Sequence, residues 1–391
     1  MSVQLKPPSQ HRVQRALEAL FREARLLERR RRRRYALLAL LPCAAVAGAV
    51  YAIVATSGAA TSAAGSSSAG LPVGAQVVPE RPSSLAVGPG GQLYIADDDR
   101  NQILEWTGHG TFRVVAGSGQ AGFSGDGGPA LRARLDQPGG MTVAPDGTLY
   151  FADSGNGRIR AISSAGTITT IAGDHSPRHG LYWVASGTPA RQAALGAPND
   201  VAIGPGGDLY FDGGANEVLR LTHSSTLSVV AGSRTAIGAG IAGIGRPATK
   251  ASPDGPWGLA LDRHGDLFIN GNNTKTLLMV TPSGRMTLPI GLDPFYPRGP
   301  GGMFTTPSGG VVAMTDEGVV GLSPHGVTTI VNLCCRRVPR VGVFELNGIA
   351  PAPDGRFYAD TDLGNGFAAA TALADVHPKG RVQLLWASAR T

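Results

Sequence analysis

Cysteine is scarce in this chain, with 3 residues in 391. Cys334 and Cys335 are adjacent, and Cys43 sits in an apolar run. One neighbouring pair cannot supply a disulfide framework, so the fold must be held by packing and hydrogen bonds. The sequence also lacks zinc-ligand spacing, a Ser-His-Asp arrangement and a phosphate-binding lysine motif, which argues against those three chemistries. Past the N-terminus it lacks an excess of positive charge. The formal charge is +7, but residues 1–34 hold 11 of the 35 Lys/Arg and 3 of the 28 Asp/Glu. The remaining 24 basic and 25 acidic residues give the body no electrostatic case for binding nucleic acid.

Glycine and proline are plentiful, at 56 and 28, and 42% of the residues are hydrophobic. So many turn formers disfavour a helical or doubly wound fold, while the apolar content excludes disorder. A turn-rich all-β body is expected.

The basic block Arg29 to Arg34 abuts residues 35–55, which carry no charge and are long enough to cross a hydrocarbon core of roughly 30 Å. The expectation is a cytoplasmic basic segment over 1–34 and a transmembrane helix over 35–55, with the bulk of the chain outside the cytoplasm. A cleaved signal peptide is the alternative, because Ala59, Ala60 and Ala63 could offer a cleavage site. Val13, Leu17, Leu20, Ala24 and Leu27 form one apolar stripe on a helix, too short to assert a coiled coil. Residues 56–71, rich in Ser, Ala and Gly, read as a flexible stalk.

From residue 72 onward the dominant feature is repetition. Six segments begin at Pro82, Pro138, Pro198, Pro256, Pro300 and Leu346, about 44 to 60 residues apart. Each reads as a short apolar strand, a Gly-closed turn, an aromatic-rich strand, a polar loop, a third strand, a turn and a fourth strand. In the first unit the strands are predicted at 85–87, 93–96, 103–106 and 112–116. The turns "GPGG", "APDG", "GPGG", "DRHG", "TPSG" and "APDG" join the first two strands with hairpin chemistry. Four antiparallel strands per unit fit a six-bladed β-propeller over 72–391. The segment AQVV at 75–78 is expected to latch the last blade.

"GQLYIADDDRNQILEW" and "GTLYFADSGNGRIRAI" resemble NHL repeats. The resemblance extends over roughly 72–391, is strongest in the first three units, and points to bacterial NHL-repeat proteins. It implies a propeller that binds peptides, proteins or RNA; one branch of the family forms the extracellular sensor domain of bacterial receptor kinases. No kinase signature lies in residues 1–34. The expected function is a membrane-anchored, extracytoplasmic binding or sensor module for a protein, peptide or glycan.

Propeller topology sorts the loops by face. Short turns follow the first and third strands of each unit on one face. The long segments 117–137, 173–197, 232–255, 291–299 and 332–345 fall on the other, where a ligand is expected. Candidate ligand-binding residues there are Asp98, Asp99 and Arg100 after a second strand, and His175, Arg178, His179, Tyr182 and Trp183 in "DHSPRHGLYW". Aromatics and arginine dominate interface hot spots, and Pro177 between the two histidines disfavours a helical metal site. Three linkers place Pro-Ala nine residues before the next unit's proline, at Pro129, Pro189 and Pro247. That fixed spacing predicts a packing turn with its alanines facing inward.

Six-bladed propellers resembling this one include lyases and lactone hydrolases with a metal in the central channel, so such an enzyme is the alternative. Among residues leading into the innermost strands, Asn199, Asp200 and Asn347 are the good oxygen donors, with Trp257 beside them. A calcium ion would find few protein ligands in that set, and no resident cofactor is expected. Asp97, Asp153 and Asp316 end second strands in one register, with Asp212 one position early, and are expected to accept backbone N–H bonds from the following loop. Gly117, Gly119 and Gly122 spell G-x-G-x-x-G without the βαβ unit that a dinucleotide site needs, so they mark a linker. Protease added to intact cells is expected to digest residues 72–391; digestion only after permeabilisation excludes an outward orientation.

Overall fold

The computed structural model describes residues 77, 79 and 82–389, except 109–110, 175–182, 215, 223, 234–242, 254, 273–275, 290–301, 316–317, 333–343, 353–356, 364–369 and 377–381. The expected basic segment, transmembrane helix and stalk lie outside these residues. Among the described residues no helix is long and apolar enough to cross a membrane.

The body is an all-β propeller of four-stranded antiparallel sheets. The first sheet comprises β1 (Pro82–Val87), β2 (Leu93–Asp97), β3 (Gln102–Gly108) and β4 (Thr111–Ala116). The second comprises β5 (Pro138–Val143), β6 (Leu149–Asp153), β7 (Arg158–Ile162) and β8 (Ile168–Ala172). The third is β9 (Val201–Ile203), β10 (Leu209–Asp212), β11 (Val218–Leu221) and β12 (Leu227–Ala231). The fourth is β13 (Pro256–Leu261), β14 (Leu267–Gly271), β15 (Thr276–Val280) and β16 (Met286–Thr287). Next come β17 (Met303–Thr305), β18 (Val311–Thr315), β19 (Gly318–Ser323) and β20 (Gly326–Asn332). Last come β21 (Phe344–Pro351), β22 (Phe357–Leu363), β23 (Ala370–Val376) and β24 (Val382–Ala389). Each sheet pairs its strands in chain order, as a meander of hairpins does.

Both faces of a sheet carry apolar side chains, so each sheet buries itself against two neighbours. Ala86, Ile103 and Ala116 of the first sheet share a core with Met141, Phe151 and Ile168 of the second. Similar clusters join the second sheet to the third and the third to the fourth. Leu85, Ile95 and Phe112 of the first sheet pack with Ala350 and Tyr358 of the last. Val77 is buried in that same cluster; it belongs to the expected latch, whose other residues 75, 76 and 78 lie outside the described set.

The Pro-Ala linkers fold as expected. Short 3-10 turns span Ala130–Arg132, Ala190–Gln192 and Ala248–Lys250, each entered from its proline. Ala130, Ala133, Ala190, Ala193, Ala248 and Ala251 are all buried. Just upstream, each linker also pairs with the outer edge of the sheet it enters. Gly127 N–H donates to Ile168 O and Ile168 N–H to Gly128 O, which ties the first linker to the second sheet, and equivalent pairs form at Leu227 and Met286. These isolated bridges satisfy edge groups that would otherwise be open to another chain.

The glycine closing each "AG" after the fourth strand explains the opening of these linkers. Gly117, Gly173 and Gly232 have φ of 95°, 104° and 106°, and a Cβ there would lie 2.3–2.4 Å from the carbonyl oxygen of Asn101, Gly157 or Asn216. Gly117→Ala is therefore expected to cost about 2 kcal/mol or more, against about 1 kcal/mol for Gly166→Ala, where a Cβ meets nothing within 4 Å. Equal urea-unfolding midpoints for the two variants would contradict this reading.

Candidate functional site

The charged residues near the long-loop end of the innermost strands form a scaffold network. Asp212, buried at the end of β10, accepts the N–H groups of Asn199 (2.7 Å) and Asp200 (2.9 Å) at Oδ1, and the Asn199 side-chain amide (3.0 Å) at Oδ2. Asp200 in turn accepts the N–H of Val201 at Oδ1 and, across the sheet boundary, that of Leu259 at Oδ2 (2.8 Å). The pair read as oxygen donors thus ties the third sheet to the fourth.

Asp153 serves the same way in the preceding sheet, accepting Asp136 N–H at 2.8 Å. Asp97 does accept a backbone N–H from the loop that follows it, that of Arg100 at 3.4 Å. The expected direction is therefore corrected for Asp153 and Asp212: the end of a second strand lies beside the start of the first, where the incoming chain brings unpaired donors. Asp316 lies outside the described residues. Burial pushes both Asp153 and Asp212 up to about 6.

Further residues, which the sequence does not single out, complete the network. Arg160 is fully buried and pins the linker 117–137: it donates to Asp153 (3.2 Å), Asp126 (2.9 Å), Ser124 O (2.8 Å) and Arg134 O (3.0 Å). The guanidinium of Arg158 stands 3.7 Å from the Phe123 ring centroid in the same linker. Gln102, Arg158 and Glu217 share one position at the start of the third strand, and each bonds the linker backbone, at Gly117 O, Gly173 O and Val184 N–H. The available signal was a polar residue at one fixed register, masked by its change of type from repeat to repeat.

At the long-loop mouth, the innermost strands begin with irregular register. The breaks fall between Pro82 and Ser84, Pro138 and Met141, Pro256 and Gly258, and Leu346 and Gly348. Trp257 and Asn347 both fall at these register breaks. Trp257 and Trp183 are partly buried, Asp99 is exposed, and Asp98 and Arg100 are intermediate. His175, Arg178, His179 and Tyr182 lie outside the described residues. Among the described residues no group of three His, Cys, Asp or Glu is placed to hold a metal ion.

A cavity of about 580 Å³ occupies the centre. Its walls come from the innermost strands, including Met141, Val201, Ile203, Leu259 and Met303, and its rim from the short turns at Pro89, Pro145, Pro205, Arg263 and Pro307. It is therefore rimmed on the face opposite the long loops.

Against this geometry, a family model described as the Teneurin NHL domain matches residues 107–293. Over residues 107–293 the propeller is of the NHL-repeat type. Mouse Teneurin-1 is 39% identical over 97 residues, covering 22% of this chain and 4% of that protein. Mouse Teneurin-3 is 26% identical over 223 residues, covering 52% and 8%. The chain thus spans less than a tenth of the length of these curated relatives. Among solved structures, virginiamycin B lyase from Staphylococcus aureus aligns over 78% of this chain and 84% of that one, at 14% identity and a TM-score of 0.45.

The buried Asp212 gives a pH signature. Folded, it holds its proton to about pH 6, whereas the ordinary value is 3.8. Between these values the folded state binds more protons than the unfolded one. Its contribution, on the order of 3 kcal/mol, is full below about pH 4 and lost as pH rises to 6. The stability of the wild type minus that of Asp212→Asn, measured by urea unfolding, is expected to fall over that window; a flat difference would refute the assignment.

Proposed function

We propose that this chain is a single-pass membrane protein holding a six-bladed NHL-repeat propeller outside the cytoplasm, where its long-loop face binds a protein, peptide or glycan. Closure into one ring is supported by the strand neighbours, since each innermost strand lies beside the next and β21 lies beside β1. Trp106 and Tyr358 meet edge to face across the same junction, with centroids 6.0 Å apart. The anchor is argued from the charge block at 29–34 and the uncharged run at 35–55.

One observation carries the binding reading. At the long-loop end the buried Asp153, Arg160, Asp200 and Asp212 hold sheets and linkers together, and on that rigid frame sits a loop with Asp99 exposed and Asp98 and Arg100 half-buried. Such an arrangement suits recognition of a surface. Trp183 and Trp257, at the long-loop end of other sheets, would offer aromatic contacts to the same partner.

A photocrosslinking residue at position 99, 183 or 257 of the full chain in its native envelope is expected to capture a partner. The same residue at position 146 or 283, both exposed on the short-turn face, is expected not to. Equal capture from both faces would overturn the proposal. Calcium-dependent thermal stabilisation abolished by Asn199→Ala would favour a channel metal and the lyase or lactone-hydrolase alternative instead.

A further inference from the structure

The rim of the central cavity breaks its own repeat. Pro89, Pro145, Pro205 and Pro307 fill one position of the turn after each innermost strand, and Pro353 holds the same place in the sequence of the last unit; in the fourth unit it is Arg263. The substitution comes with its own supports. Arg263 N–H donates to Gly309 O in the next sheet's turn at 2.7 Å, a bond that proline cannot make. Gly309 has φ +78°, and a Cβ there would lie 2.6 Å from Arg263 Cβ, so the arginine stem lies flat against that turn. Nε donates to His264 Nε2 at 3.1 Å. Among the described residues no carboxylate pairs with this exposed guanidinium.

Below the arginine the walls are apolar. Met141, Val201, Leu259 and Met303 are almost fully buried from solvent yet line the cavity. The volume falls within the range of small-molecule sites, roughly 300–1,000 Å³. Asp262 also lines the rim, but it is 7% exposed and its Oδ1 already accepts the N–H groups of His264 and Asp266 at 2.8 and 2.9 Å. Asp266 is likewise 7% exposed, so the exposed charge of this rim segment is the arginine's.

We propose that the cavity binds a small amphipathic carboxylate, entering from the short-turn face. Its apolar body rests on Met141, Val201, Leu259 and Met303, and its carboxylate sits on the Arg263 fork. Guanidinium and carboxylate match in planar, two-point geometry, and an apolar body gains by leaving water. A cation of the same shape would meet Arg263 as a like charge. The site is independent of the partner proposed for the opposite face.

Calorimetric titration of the full chain in lipid nanodiscs, with empty nanodiscs as the blank, tests this with 4-phenylbutyrate and 4-phenylbutylamine. The carboxylate is expected to bind saturably, and the amine at least about tenfold more weakly, a difference of about 1.4 kcal/mol. Arg263→Met keeps the backbone donor and most of the stem, and is expected to weaken the carboxylate about tenfold or more while leaving the amine unchanged. Arg263→Lys, which keeps the charge but not the fork, is expected to fall between the two. Equal binding of acid and amine, carboxylate binding unchanged in Arg263→Met, or no saturable binding of the acid at millimolar concentration would each overturn the proposal. Trp257→Ala at the other mouth is expected to leave carboxylate binding intact, which separates this site from the long-loop face.

Discussion

Each sheet of this protein is apolar on both faces, and that constraint governs the rest. A sheet with two greasy faces needs a neighbour on each side, so no unit can stand alone. Phe151 and Phe211 show the result: each is wholly buried, each on the middle of a second strand, and each in a core built from two adjacent sheets. Blade geometry, channel and loop placement all follow from stacking these faces around an axis.

Stacking leaves the backbone at the sheet boundaries to be satisfied, and charged side chains satisfy it. Asp212 and Asp200 take N–H groups that no ladder reaches, and Arg160 gathers two carboxylates and two carbonyls under the first long linker. Buried charges are tolerated when paired and hydrogen-bonded, as Arg160 is through both of its terminal nitrogens, and the loss of one partner leaves the other exposed to the full cost of desolvation. These residues fix where loops begin and end.

Much of the fold was legible beforehand. Strand order and turn positions follow from the recurrent Gly-closed turns, because hairpin chemistry is local. The inward-facing alanines at Pro129, Pro189 and Pro247 were legible from spacing alone. The direction of the aspartate bonds was not, since Asp153 and Asp136 are 17 residues apart and meet only across an antiparallel pair. Nor was the structural role of Asn199 and Asp200, which shows only once the neighbouring Asp212 and Leu259 are in place. Arg263 was hidden for the opposite reason: it replaces a proline in a turn that looks otherwise ordinary.

The 3-10 turns before the second, third and fourth sheets hold the chain at a fixed distance from the next strand, and the residues just upstream are zipped to an outer edge. What lies between the closing glycine and that zip is therefore fixed at both ends, and in the first linker it is also held from the blade by Arg160 on Ser124 O and Asp126. Its length and composition already differ among the three linkers, from a glycine-rich stretch after Gly117 to one bearing histidines and aromatics after Gly173. The scaffold thus behaves as a set of sockets with fixed rims, in which a cassette can be rewritten so long as it still presents the groups that the blade grips, as Ser124 and Asp126 are gripped by Arg160.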